Sequence, residues 1–351
     1  MKPEIACTVL LLLSLVACGA SDPEPPPVTG THAQCLGGGY VAFDAANFVP
    51  QQIRVGAVGQ MVGKMKEGEA SPFSATAAAA GFEAAEALYE SSADLRAKVQ
   101  GRTDDHFAEK PNVGQAIDGR IMEAFAMGKT ATTALSVTIS RQIVEKSLIG
   151  FFYFSVYHEL ALGQRAKWDE GFGYYGAPVD NGEANRLGLA SVATKRDATN
   201  GTSLASDVFA GFVDGSCALA KALEETGLET IDLSTRADVA AAVSAIDAKL
   251  VAVLAYSVGH EAFEMKELAE GLSAGDPIDE LWIKLAELDP YFRAIEPGMN
   301  GRGGESAARA ERIRMAIDAA WSDPSGAALR AFPAQAVIDD LSAEFSIAVR
   351  G

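Results

Sequence analysis

Leu148-Ile-Gly-Phe-Phe-Tyr-Phe-Ser-Val-Tyr-His-Glu159 and Leu250-Val-Ala-Val-Leu-Ala-Tyr-Ser-Val-Gly-His-Glu261 carry one pattern twice. Ser155, Val156, His158 and Glu159 recur as Ser257, Val258, His260 and Glu261, an offset of 260 − 158 = 102, and Glu145 aligns with Asp247 upstream. Apolar residues return every three or four positions ahead of each copy, which is the period of a helix and not of a strand. Segments 130–164 and 235–270 therefore read as equivalent long helices of two related halves. Such a repeat predicts two helical bundles related by a pseudo-twofold; the alternative is chance likeness between two Ala-rich amphipathic helices.

Helical spacing continues outward through 51–66, 74–91, 115–127, 205–225, 278–288, 305–321 and 333–349, with Gly or Pro between the segments. No convincing series of alternating strands occurs, so the expected fold class is all-α, an internally duplicated helical bundle. Between the halves lies Lys167-Trp-Asp-Glu-Gly-Phe-Gly-Tyr-Tyr-Gly-Ala-Pro178. Its rings, glycines and carboxylates suit an ordered loop that either plugs the seam or lines a ligand site with Trp168, Asp169 and Glu170. The expected organisation is 1–17 signal peptide, 18–34 lipidated cysteine and tether, 35–200 first half including that loop, and 201–351 second half.

Leu15-Val-Ala-Cys18 closes an apolar run that begins a few residues from Met1. Lys2 supplies the positive end, and the run from Ile5 to Val16 is too short to cross a hydrocarbon core of ~30 Å. The segment reads as a cleaved signal ending in a lipobox, with Cys18 as the acylated N-terminus that anchors the mature protein to a membrane. Gly19 in place of Asp favours the outer membrane, if the sorting rule of enteric bacteria applies. Pro25, Pro26 and Pro27 make the following stretch a semi-extended tether.

The net charge of −18 survives removal of 1–17, because Lys2 and Glu4 cancel. A polyanionic surface repels phosphate backbones, which argues against nucleic acid and admits cations as partners. At 351 residues and 48% hydrophobic content the chain can bury a large core, as one composite unit or two lobes. Cys7 leaves with the signal and Cys18 is lipidated, so Cys35 and Cys217 remain. An oxidising compartment permits a disulfide between them, but spacing leaves the pairing open.

The chain has four histidines, and two of them fall in the repeat. Neighbouring helical side chains diverge by ~100°, so neither His158–Glu159 nor His260–Glu261 forms a two-residue clamp. His260 and Glu264 share a face, and equivalent helices meeting at the pseudo-axis would present His158 to His260. Imidazole and carboxylate in a bundle core suit iron or zinc. The competing reading gives each histidine a neighbouring carboxylate and a packing role. Asp104, Asp105, His106 and Glu109 read as a solvated loop with an N-cap, and Gly298 to Gly304 as a flexible connection. No His-Glu-x-x-His or Gly-x-Ser-x-Gly motif supports hydrolytic chemistry.

The stretch from Trp168 to Pro178, together with Val58-Gly-Gln60, resembles an uncharacterised family of bacterial lipoproteins, domain of unknown function 4856. The resemblance runs from about Tyr40 to the end of the chain. That family often carries His before the Trp, and Lys167 stands there in this chain, which removes that position as a metal ligand. More distantly, the chain is similar to the imelysin-like proteins. That similarity implies paired bundles, a groove between them and a role in iron or haem uptake. The imelysin signature Gly-x-His-x-x-Glu is not kept, since Val258 and Phe263 flank His260 and Val156 and Ala161 flank His158.

Two functions from different classes remain in view. One is a non-enzymatic, lipid-anchored envelope protein that binds iron, zinc or another metal species between its halves, through His158, Glu159, His260, Glu261, Glu264 and the Trp168 segment. The other is a structural or adaptor lipoprotein that binds another envelope protein. The first requires His158 and His260 to converge in an acidic cavity; the second leaves them apart, with an exposed apolar patch elsewhere.

Overall fold

Helices cover about three-quarters of the chain that the structure, a computed structural model, describes: residues 32–36, 39–70 and 72–350. The signal segment, Cys18 and most of the tether lie outside the described residues. The helices are α1 Val49–Lys66, α2 Ala75–Ser91, α3 Leu95–Gln100, α4 Gly114–Lys129, α5 Ala134–Ala161, α6 Arg165–Tyr175 and α7 Gly188–Asn200. They continue as α8 Leu204–Thr226, α9 Ala237–Gly271, α10 Asp279–Arg302, α11 Gly304–Ser322, α12 Ala327–Arg330 and α13 Ala334–Phe345. Among the described residues there is no strand, only the isolated bridges Thr103–Asn112 and Gln164–Thr230. The all-α class is as the spacing predicts.

Local chemistry sets the ends. Ser74 and Thr133 cap α2 and α5 by accepting from the amides of Ala77 and Ser136. Gly176, Gly201 and Gly227 close α6, α7 and α8 in the left-handed conformation, which glycine adopts without Cβ strain.

The long helices α5 and α9 form the centre. Gln142, Lys146 and Gly150 of α5 meet Glu287, Tyr291 and Ala294 of α10 in ascending order, so those two helices run parallel. Helix α10 returns antiparallel along α9, bringing Lys284 to Glu261. Helices α5 and α9 are therefore antiparallel, and Tyr153 Oη donates to Asp247 Oδ1 where they cross. Helix α9 is long and apolar enough to cross a membrane by length and composition. Here α8, α10 and α13 pack along it, as around the core helix of a globular protein.

Two expectations need correction. The Trp168 stretch is not a loop: it is helix α6, with Trp168, Phe172, Tyr174 and Tyr175 fully buried. Helix α10 does not stop near Leu288 but continues through Pro290 and Pro297 to Arg302. Each proline removes one helical hydrogen bond, and packing against α5 and α9 offsets the loss. Gly150 permits that approach, since a Cβ there would lie 3.3 Å from the Ala294 Cβ. Residues His32 to Gly351 form one compact unit, and α7, assigned to the first half, packs on α8 and α9 of the second. Cys35 and Cys217 are joined, tying the N-terminal segment to α8 across 182 residues of sequence.

Candidate functional site

Two buried polar networks flank the α5–α9 crossing, each centred on the glutamate of one repeat copy. In the first, Glu159 is 5% exposed and meets Arg102 at 3.2 Å and Lys167 at 3.3 Å. Lys167 also pairs with Glu170 at 2.7 Å. From α1, Gln51 donates to Glu170 at 2.9 Å, and Arg54 donates to the Tyr174 hydroxyl at 3.0 Å. In the second, Glu261 is likewise 5% exposed and meets Lys284 at 3.1 Å. Lys284 also pairs with Glu287 at 3.3 Å and lies against Glu264. Here Gln142 of α5 donates to Glu287, and the Lys146 ammonium lies 6.0 Å from the Tyr291 ring centre.

The residues correspond one by one. Lys167, Glu170, Tyr174 and Tyr175 match Lys284, Glu287, Tyr291 and Phe292 at a constant offset, 284 − 167 = 117. Gln51 and Arg54 of α1 serve the first network as Gln142 and Lys146 of α5 serve the second. Ser155 and Ser257 each donate to the carbonyl one turn back, Phe151 and Val253, at 2.8 Å. The unpartnered atoms correspond as well: Oε1 of Gln51 and Gln142, and Nε of Arg102 and Arg196, are buried without a hydrogen-bond partner among the described residues.

Charge balance differs between the two. Burial raises the pKa of Glu261, and sharing a proton with Glu287 raises it further against the pull of Lys284. Burial works against ionisation of Glu287 too, but the hydrogen bond from Glu261 and the Lys146 and Lys284 charges bring its pKa below the ordinary value. The pair therefore holds one proton between a carboxyl and a carboxylate. Burial and the neighbouring Arg196 depress the His260 pKa, with Glu264 opposing.

A third cluster sits where α5 and α9 cross. The loop after α3 returns a histidine that the sequence reading set aside. His106 Nδ1 lies 2.6 Å from Asp104, Nε2 lies 3.0 Å from Asp247, and the ring stacks on Tyr157 at 3.6 Å. Burial opposes its protonation, but the two aspartates dominate and push its pKa up to about 9. Beside it, His158 Nδ1 lies 3.0 Å from Asp105, which also takes Thr103 and Lys110. The expected solvated loop is thus a clip with both aspartate side chains buried, Asp104 against the His106 imidazole and Asp105 against Lys110, Thr103 and the His158 ring.

Of the residues singled out from sequence, Glu159 and Glu170 come together in the first network, and His260, Glu261 and Glu264 in the second. His158 and His260 do not converge. His260 lies 13 residues beyond Asp247, and His158 five beyond Tyr153 on an antiparallel helix, a separation of about 27 Å at 1.5 Å per residue. Trp168 is core: its Nε1 donates to the Phe212 carbonyl at 3.1 Å. Asp169 is structural, accepting from Tyr40 Oη, the amides of Phe43 and Asp44, and Asn47 Nδ2. Among the described residues no group of three or more His, Cys, Asp or Glu side chains is arranged to hold a metal ion. The reading missed Arg102, Gln51, Gln142, Lys284 and Glu287; the Lys-x-x-Glu-x-x-x-Tyr spacing, present twice, was the signal that would have found the last two.

Comparison with protein families, with curated proteins and with solved structures finds no match for the chain.

Proposed function

We propose that this chain is a non-enzymatic, lipid-anchored protein of the cell envelope, built from two related helical halves and acting as an adaptor for another envelope protein. The duplication is supported by the two networks, whose members correspond at offsets of 102 and 117. Distant kinship with the imelysin-like proteins fits this arrangement and is part of the proposal. Envelope placement is supported by the lipobox ending at Cys18 and by the Cys35–Cys217 disulfide, a bond of oxidising compartments.

The observation that carries the adaptor reading is the fate of the expected metal ligands. Each faces a counter-charge: His158 has Asp105, His260 has Glu264, Glu159 has Arg102 and Lys167, and Glu261 has Lys284. Lys284 places an ammonium where a cation among Glu261, Glu264 and Glu287 would sit. An exposed apolar patch lies elsewhere. Val49 and Ile53 project from α1, and Leu187 lines a cleft with Gln52 and Pro178. Val179 adjoins that cleft and accepts the Tyr40 amide, next to exposed Val41. An apolar patch rimmed by polar residues marks an interaction surface.

The test is elemental analysis after loading with iron or zinc and removing the excess, beside His158→Ala/His260→Ala. The reading predicts no stoichiometric metal in either protein. One equivalent retained by the intact chain and lost by the double variant would replace the adaptor with a metal-binding protein.

A further inference from the structure

Helix α4 does not close fully against α5 and α10, and a groove of about 370 Å³ remains between them. Its walls are apolar, from Ile117, Phe154, Pro290 and Pro297. The volume lies in the range of small-molecule sites, ~300–1,000 Å³. Small residues make the space: Gly150 and Ala294 face each other at its floor.

Two polar features break the apolar lining. Ser147 is 4% exposed, and its hydroxyl has no hydrogen-bond partner among the described residues. Ser155 and Ser257 show what a helical serine ordinarily does, since both satisfy their hydroxyls on their own helix. A buried hydroxyl left unpaired is costly unless something entering the groove pairs with it. The second feature is cationic. Arg120 and Arg293 both lean on one carboxylate, Asp289, at 3.0 and 2.8 Å, and Trp321 Nε1 takes it too at 3.1 Å. Asp318, 3.5 Å from Arg293, is more than half exposed, so it screens weakly. Glu296 lines the groove but is held by Arg314. Arg120 spends only one of its five N–H donors on the protein among the described residues. Burial lowers its pKa, and repulsion from Arg293 and Arg314 adds to that against the pull of Asp289. Arg120, Arg293 and Arg314 are matched in number by Asp289, Asp318 and Glu296, so what the groove offers a ligand is the set of N–H donors that Arg120 leaves unused.

We propose that this groove binds a small amphipathic carboxylate, its short apolar body between Ile117, Phe154 and the two prolines and its carboxylate on Arg120, with Ser147 completing the hydrogen bonding. Guanidinium binds carboxylate through parallel N–H donors, and Arg120 keeps four of its five N–H donors off the described residues and so available to one. The site is separate from the exposed patch of the adaptor reading and from both buried networks, so either proposal can fail without the other.

The probe is octanoate, titrated calorimetrically into the full chain carrying Cys18→Ser, so that no acyl group competes. The expected result is saturable one-to-one binding, weakened at least about ten-fold by Arg120→Gln, the loss of a charge-assisted hydrogen bond. Ala116→Trp, at an exposed position on the rim, should fill the groove and abolish binding while leaving the unfolding midpoint in place. Octylamine, with the same body and the opposite charge, should not bind. Absence of saturable octanoate binding, equal binding of octylamine, or unchanged binding in Ala116→Trp would each overturn the proposal.

Discussion

The Glu159 and Glu261 networks share a skeleton and differ in their ions. Around Glu159 and Glu170 stand three cations, Lys167, Arg102 and Arg54, against two carboxylates that Lys167 bridges. Around Glu261, Glu264 and Glu287 stand Lys284, Lys146 and Arg196, three cations against three carboxyl groups, and Glu261 shares a proton with Glu287. The lesson is that one packing geometry tolerates two charge arrangements, because a buried carboxyl set directly against a second one takes up a proton instead. The second network holds a proton-sharing carboxyl pair, Glu261 and Glu287, and the first has no such pair.

Substitutions separate the two. Glu159→Gln leaves Arg102 and Lys167 without their buried partner, and the expected loss is about 3–5 kcal/mol by denaturant unfolding at pH 7, the usual cost of breaking a buried pair. A loss below about 1 kcal/mol would remove the distinction between the networks.

Next comes the clip at the crossing. The folded pKa of His106, about 9, stands above its ordinary 6.5. Its contribution is therefore full below the unfolded pKa and is lost as pH rises through about 9. The shift corresponds to roughly 3 kcal/mol. Stability followed from pH 6 to pH 10 should fall, and His106→Asn should flatten most of that fall. A variant whose curve parallels the parent would show that the imidazolium adds nothing.

The smallest effect is expected at Glu261→Gln. Replacing the Glu261 carboxyl with an isosteric amide should change stability by less than about 1 kcal/mol below the ordinary glutamate range, where the carboxyl is neutral folded and unfolded alike. The same change should weaken the decline of stability as pH rises from the ordinary glutamate range toward alkaline values, since a raised folded pKa makes that decline. An effect as large as that of Glu159→Gln would mean that Glu261 is ionised.

Much of the fold was legible because helical spacing survives in sequence: α1, α2, α4, α5, α8 and α9 fall close to their expected bounds. Helix α6 was not, because three glycines and four aromatic residues within Lys167 to Gly176 read as a loop by composition. Its glycines instead admit neighbours at close range: a Cβ on Gly173 would stand 2.8 Å from the Gln51 Cβ. Helix α10 was cut short because proline ordinarily ends a helix, and the packing that overrides this is long-range. The histidines and glutamates were found by the repeat, but their partners Arg102, Gln51 and Gln142 come from segments far away in sequence. No local spacing reports such contacts. His106 was discounted for the same reason, as Asp247 lies 141 residues away.

The most direct test of the central claim is infrared difference spectroscopy of the carboxyl C=O stretch at pH 7, comparing the parent protein with Glu159→Gln and Glu261→Gln. The account predicts a protonated carboxyl band that Glu261→Gln removes and Glu159→Gln leaves in place. A band unaffected by Glu261→Gln, or one lost with Glu159→Gln, would contradict the placing of the shared proton on the Glu261–Glu287 pair.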